Sequence, residues 1–471
     1  MGKTNMNRRK FGLLTAMGAV SLSTGFALPK TARAAVTQAQ ADQLKTTLTP
    51  FGAEKAGNAA GTIPAWTGGE TTIPAGWTSP ALMPDLYASD QPVVTINSSN
   101  MAQYVDRLPI AVQFMMQKLG FSIVVYPTRR TASAPQWVYD NTYKNATSTQ
   151  SLNGDARLGF TGAFGGIPYP ILSSDPAEAG AQVLQNHNFR WVGPHQKYSN
   201  NSYAMSGGQL TLVSDEDYAE ITPYYDPTLN AQTYGIIYQK GSYNPVAPPN
   251  AVGSDIISYG STNPLQFPDS GWELLTGQGR VRRIPEIQYD VPDSTLDGLV
   301  TYDEAFAFLG AEDEFDWKLV GKKEIYIPYN NNKVNFMEKS DFLPRFISPD
   351  VIRWELHRCW VVEATLAPGK RNILPHRRFY VDEDTWTVGV TDEYDAAGNL
   401  WRSTHTTNCV RPDLPGTIME SYCSYNFQSQ AYITSFSPNL DLPPSQRTQD
   451  FATVPPNSRF NPQDMAARAS F

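Results

Sequence analysis

The chain has 471 residues, with 37 lysines and arginines against 45 aspartates and glutamates, a formal charge of −8. An acidic balance without long basic runs excludes nucleic acid and electrostatic docking to anionic lipid surfaces, and leaves binding to the apolar part of lipids open. With 36 prolines, 34 glycines and 12% aromatic residues, the composition describes short strands and many turns, so one elaborated β domain is expected where length alone suggests about three domains.

Residues 7–14 read Asn-Arg-Arg-Lys-Phe-Gly-Leu-Leu, followed by an apolar stretch from Phe11 to Leu28 and by Ala32-Arg33-Ala34. Cationic start, apolar middle and small terminal residues describe a removable export peptide over residues 1–34, cleaved between Ala34 and Ala35. Gly12, Thr15, Gly18, Ser21 and Ser23 make the stretch a poor membrane span. Arg8-Arg9-x-Phe11 resembles the head of a twin-arginine signal, whose route exports proteins already folded; a general secretory signal that holds two arginines is the alternative. No cysteine precedes Cys359, so a lipid-anchored N-terminus is not expected and the product is assigned to the periplasm. Residues 1–34 carry six bases and no acid, and without them 31 bases face 45 acids, a charge of −14.

Residues 35–95 read as an extended arm. A short helix is expected from Thr37 to Leu48, and the glycine-rich segment FGAEKAGNAAGTIPAWTGG (51–69) is expected to fold tightly onto the body. Ser99–Gly120 is the best helical candidate, capped by Ser99, broken at Pro109 and stopped at Gly120. Phe121–Tyr126 and Gln136–Tyr139 are strand-like. A second helix is predicted over Ala177–Val192, opened by Asp175-Pro176. The glycines of 159–166 suggest a phosphate loop, but no Gly-Lys-Ser/Thr ends them, and a tight turn is the better reading.

From Gln209 onward, β-branched and aromatic runs alternate with turn residues: 210–213, 234–238, 271–275, 280–284, 317–320, 324–327, 352–365, 377–381, 385–394, 400–406 and 418–425. Short links such as Asp395-Ala-Ala-Gly-Asn399 make consecutive strands antiparallel neighbours. The expected fold is mainly β (α+β): a large curved antiparallel sheet in a single domain over 96–450, covered by a few helices, with a C-terminal tail over 451–471. Along 352–365 both faces carry apolar residues, so each must meet a helix, another sheet or an apolar ligand. A fully packed core and a partly open cavity both satisfy that demand.

Five histidines (187, 195, 357, 376 and 405) show no metal-ligand spacing, and no nucleophile elbow precedes a helix. No catalytic constellation, metal or cofactor is therefore predicted. The paired acids Asp313-Glu314, Glu383-Asp384 and Asp392-Glu393 lie beside turns and read as solvated. Arg280, Arg282 and Arg283 admit three roles: surface solvation, pairing with acidic turns, or a rim for an acidic headgroup. Cys409 and Cys423 could pair across neighbouring strands, with Cys359 reduced; three unpaired buried cysteines is the other reading. The terminal Phe471 resembles the last residue of an outer-membrane barrel, but the helical, polar 462–470 before it argues otherwise.

The segments 51–69, VYPTRRTASAPQWVYDNT (125–142), FDWKLVGKKEIYIPYN (315–330), WELHRCWVVEATL (354–366) and RRFYVDEDTWTVGVTDEYDAAGNLWR (377–402) resemble the bacterial family known as domain of unknown function 1329 (DUF1329). The resemblance implies a relation to the LolA/LolB carriers: a half-barrel around an apolar cavity, and work beside a resistance-nodulation-division (RND) type exporter and an outer-membrane partner. It carries over no catalytic residues. The expected function is a periplasmic carrier of hydrophobic or lipid-like molecules, against an enzyme using Glu355, His357 and Glu363 or an exporter adaptor with no small ligand. Trp137, Trp317, Tyr326, Trp354 and Trp360 are the candidate cavity residues.

Overall fold

The computed structural model describes residues 36–275, 279–284, 289–293, 296 and 298–468; the segment 1–34 read as an export peptide, Ala34 and Ala35 at its expected cleavage point, and Phe471 lie outside them. The strands are β1 (Val94–Ile96), β2 (Ile123–Val125), β3 (Gln150–Ser151), β4 (Phe160–Thr161), β5 (His195–Ser206), β6 (Gln209–Ile221), β7 (Ile237–Ala247), β8 (Ile256–Ser261), β9 (Ser270–Leu275) and β10 (Arg280–Ile284). They continue with β11 (Phe315–Pro328), β12 (Arg353–Leu366), β13 (His376–Asp382), β14 (Val388–Tyr394), β15 (Leu400–Arg411), β16 (Gly416–Asn426), β17 (Ala431–Pro438) and β18 (Gln449–Asp450). The helices are α1 (Gln38–Ala41), α2 (Ile110–Leu119), α3 (Gln136–Ser148), α4 (Pro176–Asn188) and α5 (Pro462–Arg468).

All strands but β3 and β4 join one sheet, in the order β1-β2-β12-β13-β14-β15-β16-β17-β5-β6-β7-β8-β9-β10, with β11 beside β12 and β18 beside β5. Two antiparallel meanders, β12 to β17 and β5 to β10, meet where β17 pairs with β5, and the sheet stays open because β1 and β10 do not meet. Only the β2–β12 pairing is parallel among the described strands. The large open antiparallel sheet with few helices is the fold class the sequence implied.

Both faces of the central strands are buried, for a reason visible in the register. Val361 pairs with Tyr380 and belongs to a core with Ala111, Val112 and Met115 of α2; Val362 pairs with Phe379 and belongs to a core with Val138 of α3 and Leu184 of α4. Successive residues of a strand point to opposite faces, so the two cores flank the sheet. Helix α2 begins on the sheet itself: the Asp392 carboxylate accepts from the Ile110 and Ala111 amides at 3.2 and 2.7 Å, satisfying two donors that a helix start leaves open. Helix α4 keeps its expected cap, with Asp175 accepting from the Ala177 amide and Pro176 at its first position. It lies so close to β11 that a Cβ on Gly180 would stand 2.9 Å from the Lys318 nitrogen.

Several expectations are corrected. Gln136–Tyr139 is the first turn of α3, whose buried residues Val138, Thr142, Asn145 and Ala146 recur at helical period only beyond a four-residue window. Pro109 confines the α-helix of the 99–120 segment to Ile110–Leu119, leaving 3-10 turns at Met101–Gln103 and Val105–Arg107; Ser99 bonds Asn97 and caps nothing. Gly120 does end α2, at φ 77°. The runs 317–320 and 324–327 are one strand, joined through a bulge at Val320. The helix expected over 37–48 is Gln38–Ala41 plus a 3-10 turn to Lys45, with Thr37 and Gln40 forming a capping box.

The pairing of Cys409 with Cys423 is also corrected. Cys409 stands opposite Ile418 and Cys423 opposite His405, so the two lie roughly 15 Å apart at ~3.4 Å per residue, well beyond disulfide reach. All three cysteines are free and buried, and burial pushes every thiol up, Cys423 to about 12. Thiol titration under non-reducing conditions should therefore count three thiols in denaturant and essentially none in the native protein. A count of one in denaturant would overturn this.

Five of the six acids read as solvated are buried: Glu383, Asp384, Asp392, Glu393 and Glu314 are each under 5% exposed, while Asp313 is partly exposed and pairs with Lys370. Glu383, Asp384 and Asp392 have partners distant in sequence, Glu314 accepts from Asn372, and Glu393 accepts from Thr391 on its own strand. Among the described residues no helix is long and apolar enough to cross a membrane.

Candidate functional site

Strands β5 to β8 build a polar floor. On β6 the residues Glu216, Tyr218 and Glu220 alternate on one face, and the register sets Tyr218 beside Tyr243 and Ile256, and Glu220 beside Gly241 and Ser258. Above this floor runs a segment with Asp293, Leu296, Tyr302, Ala305, Phe306 and Leu309, which encloses a chamber of about 760 Å³, mouth included. A second chamber of about 620 Å³ shares Tyr238, Gln239, Phe306 and Leu309 with it. The space in which a water-sized sphere can be centred is smaller, about 70 Å³ in the first and about 40 Å³ in the second.

The covering segment is pinned at one point. Thr301 and Glu304 form a capping box, Glu304 pairs with Arg402, and Asp303 pairs with Arg377, whose side chain is fully buried. Phe306 and Ala307 adopt φ of 54° and 73°, a left-handed conformation costly for both, which turns the Phe306 ring between the two chambers.

The chambers differ in charge. Burial raises Glu216 to about 7, Asp293 adding to the shift, and raises Asp269 to about 7 against the Ser261 amide it accepts from. In the smaller chamber Glu220 accepts from the Tyr218 hydroxyl at 2.5 Å, from Gln196 at 3.2 Å and from Thr222 at 3.3 Å. Beside it, burial lowers the Arg190 guanidinium to about 10 while Glu220 opposes the shift; its Nη1 donates to the His187 carbonyl.

The five candidate aromatic residues do not converge. Trp137 lies on α3, edge-on to Trp191 at 5.7 Å; Trp317 packs in the core beneath α4 and donates to the Glu312 carbonyl. Trp360 stacks on Trp386, and Tyr326 meets Tyr104 in the other core. Trp354 lines a smaller cavity with Phe121 and His405, and none of the other four lines it or either chamber. Of the basic rim, Arg282 pairs with Glu273 at 2.9 Å and Arg283 donates to Ser270, on the outermost strand beyond the chambers. The chamber residues were missed although one signal was present: Glu216, Tyr218 and Glu220 at every second position mark a strand face that is neither solvent nor plain core.

A second constellation gathers the five segments that carry the family resemblance. Arg130, with a side chain 2% exposed, holds Asp384 at 2.6 and 2.8 Å and donates to the carbonyls of Glu54, Lys55, Ala56 and Pro64. Arg358 and Lys322 hold Glu383 at 3.2 and 2.7 Å, and Arg353 holds Glu355 and Asp90. The His357 ring stacks on Tyr329 between Glu355 at 3.1 Å and Asp382 at 3.5 Å. Burial opposes its protonation, but the two carboxylates prevail and its pKa is raised. His357, Asp382 and Asp384 bring one ligand atom each within 4.8 Å. Arg130 occupies both oxygens of Asp384 and Glu355 faces His357 Nε2, so the group is an ion network, with Asp382 Oδ1 left without a hydrogen-bond partner among the described residues. Glu363 stands apart, paired with Arg378 at 2.5 Å, and neither Glu355 nor His357 lines a chamber.

Residues 95–466 match the family described as protein of unknown function (DUF1329). The uncharacterized protein PA3922 of Pseudomonas aeruginosa is 37% identical over 410 residues, covering 85% of this chain and 88% of the relative. A crystal structure of a DUF1329 family protein from Desulfovibrio piger, 13% identical, superposes on 61% of this chain and 98% of its own with a TM-score of 0.41. A LolA superfamily protein from Nitrosomonas europaea, 9% identical, covers 60% and 97% with a TM-score of 0.35.

Proposed function

The chain belongs to the DUF1329 family, and we propose that it is a periplasmic carrier of a hydrophobic or lipid-like molecule. The observation that carries the reading is the pair of chambers on the inner face of β5 to β8, walled by Tyr238, Ile256, Phe306 and Leu309 and covered by one segment. A packed sheet needs no such space, whereas a carrier needs a bounded apolar site that a short segment can open. Burying alkyl carbons there at about 0.8 kcal/mol per CH₂ supplies affinity without catalytic groups. A non-enzymatic role fits the ion network, whose titratable groups are spent on one another outside the chambers. Partnership with an RND-type exporter and an outer-membrane protein belongs to the same reading, which the export-like N-terminus supports.

Protein purified from its native periplasm, extracted with organic solvent and analysed by mass spectrometry, should yield a hydrophobic molecule in near-stoichiometric amount. An empty extract, together with no displacement of a fluorescent fatty-acid or alkyl probe, would sink the carrier reading.

A further inference from the structure

We infer that the larger chamber receives a positively charged group, an amine or quaternary ammonium at the head of an otherwise apolar cargo. This rests on the carrier reading and adds to it the class of cargo.

Every charged residue lining the chamber is a carboxyl: Glu216, Asp269 and Asp293. No lysine, arginine or histidine lines it among the described residues. Lys240, whose ammonium stands 4.9 Å over the Tyr259 ring, does not line it. Glu216 is 2% exposed, and its Oε1 has no hydrogen-bond partner among the described residues, although Ser214 and Asn200 stand close enough to soften its pKa shift. A buried carboxylate oxygen left without a donor is costly, and a cation entering the chamber would remove the cost.

The remaining wall suits the same guest. Tyr238, Tyr243, Tyr302, Phe306 and Tyr422 line the chamber, and aromatic faces attract organic cations. The smaller chamber lacks this character, because Arg190 there faces Glu220. An anionic headgroup would instead meet three carboxyls. Ile256, Leu296, Ala305 and Leu309 offer apolar wall to the alkyl part.

The test is calorimetric titration of delipidated full-length protein with dodecyltrimethylammonium, dodecanol and dodecanoate, each below its micelle concentration. The ammonium should bind about tenfold more tightly than the alcohol, a difference of ~1.4 kcal/mol, and the carboxylate more weakly than either. In the Glu216→Gln, Asp293→Asn double variant the ammonium should fall to within about twofold of the alcohol. Asp269→Asn, which keeps an oxygen for the Ser261 amide, gives the same comparison should the double variant not fold. Equal affinities, or a preference for dodecanoate, would overturn the cationic assignment and leave the carrier reading standing. Failure of all three probes to bind would remove the carrier reading itself.

Discussion

Replacing Arg130 with alanine should lower the unfolding free energy by about 3–5 kcal/mol, the usual cost of breaking a buried ion pair by removing one partner. The guanidinium is the hub of the network: it meets Asp384 through two bonds, lies 3.7 Å from Glu383, and ties down four carbonyls of the N-terminal arm. Without it Asp384 remains in a site 3% exposed with no matching charge, and the arm loses its anchor. Urea unfolding should show a lower midpoint with little change of slope. The Arg130→Ala, Asp384→Asn double variant should recover part of the loss, because the stranded charge is gone. A loss below 1 kcal/mol would mean that the network is solvated in solution.

Raising the pH from 5 to 8 should lower the thermal midpoint by several degrees. Burial raises Glu216, Asp269 and Glu420 to about 7, and Glu312 and Glu393 to about 8. For Glu393 the neighbouring Glu304 adds to the rise while Arg377 and Arg402 oppose it. A carboxyl whose folded pKa lies above its unfolded value holds its proton more tightly in the native state, so stability falls as pH climbs from the unfolded value, near 4, through the folded one. His357, also raised, adds a loss in the same direction as pH passes its folded value. Groups held low act in the opposite sense: Asp90 beside Arg129 and Arg353 toward pH 4 and below, and His187 and His405, kept neutral by burial, up to about pH 6.5, where they blunt the fall but are outnumbered by the raised carboxyls. Scanning calorimetry across pH 5–8 checks this, and Glu393→Gln should flatten part of the slope. A midpoint that is constant or rises over that range would contradict it.

The meanders were legible because their information is local: turn residues such as Asp395 to Asn399 and strand-period runs lie within a few positions of one another. The start of α4 was legible for the same reason, from Asp175 and Pro176 alone. The acid pairs were misread because what buries them is remote: Asp384 meets Arg130 across 254 positions, and Asp392 meets the start of α2 across 281. The chambers were invisible for a related reason, since Glu216, Asp293 and Tyr422 become neighbours only when the second meander docks on the first. The candidate tryptophans were chosen for residue type, and large aromatic residues in strands are most often core, which is where the structure puts Trp317 and Trp360.

The junction of β17 with β5 governs how the molecule can be made. Tyr432 pairs with Met205, so the ladder that unites the two meanders closes a loop of more than 200 residues. Such closure carries a large chain-entropy cost and tends to be late and slow. During synthesis β5 and β6 emerge with an unpaired edge that cannot be covered until residue 438 has been made, and uncovered edges invite pairing with other chains. Sequence changes that weaken β17 should therefore cost soluble yield before they cost the stability of protein that has already folded.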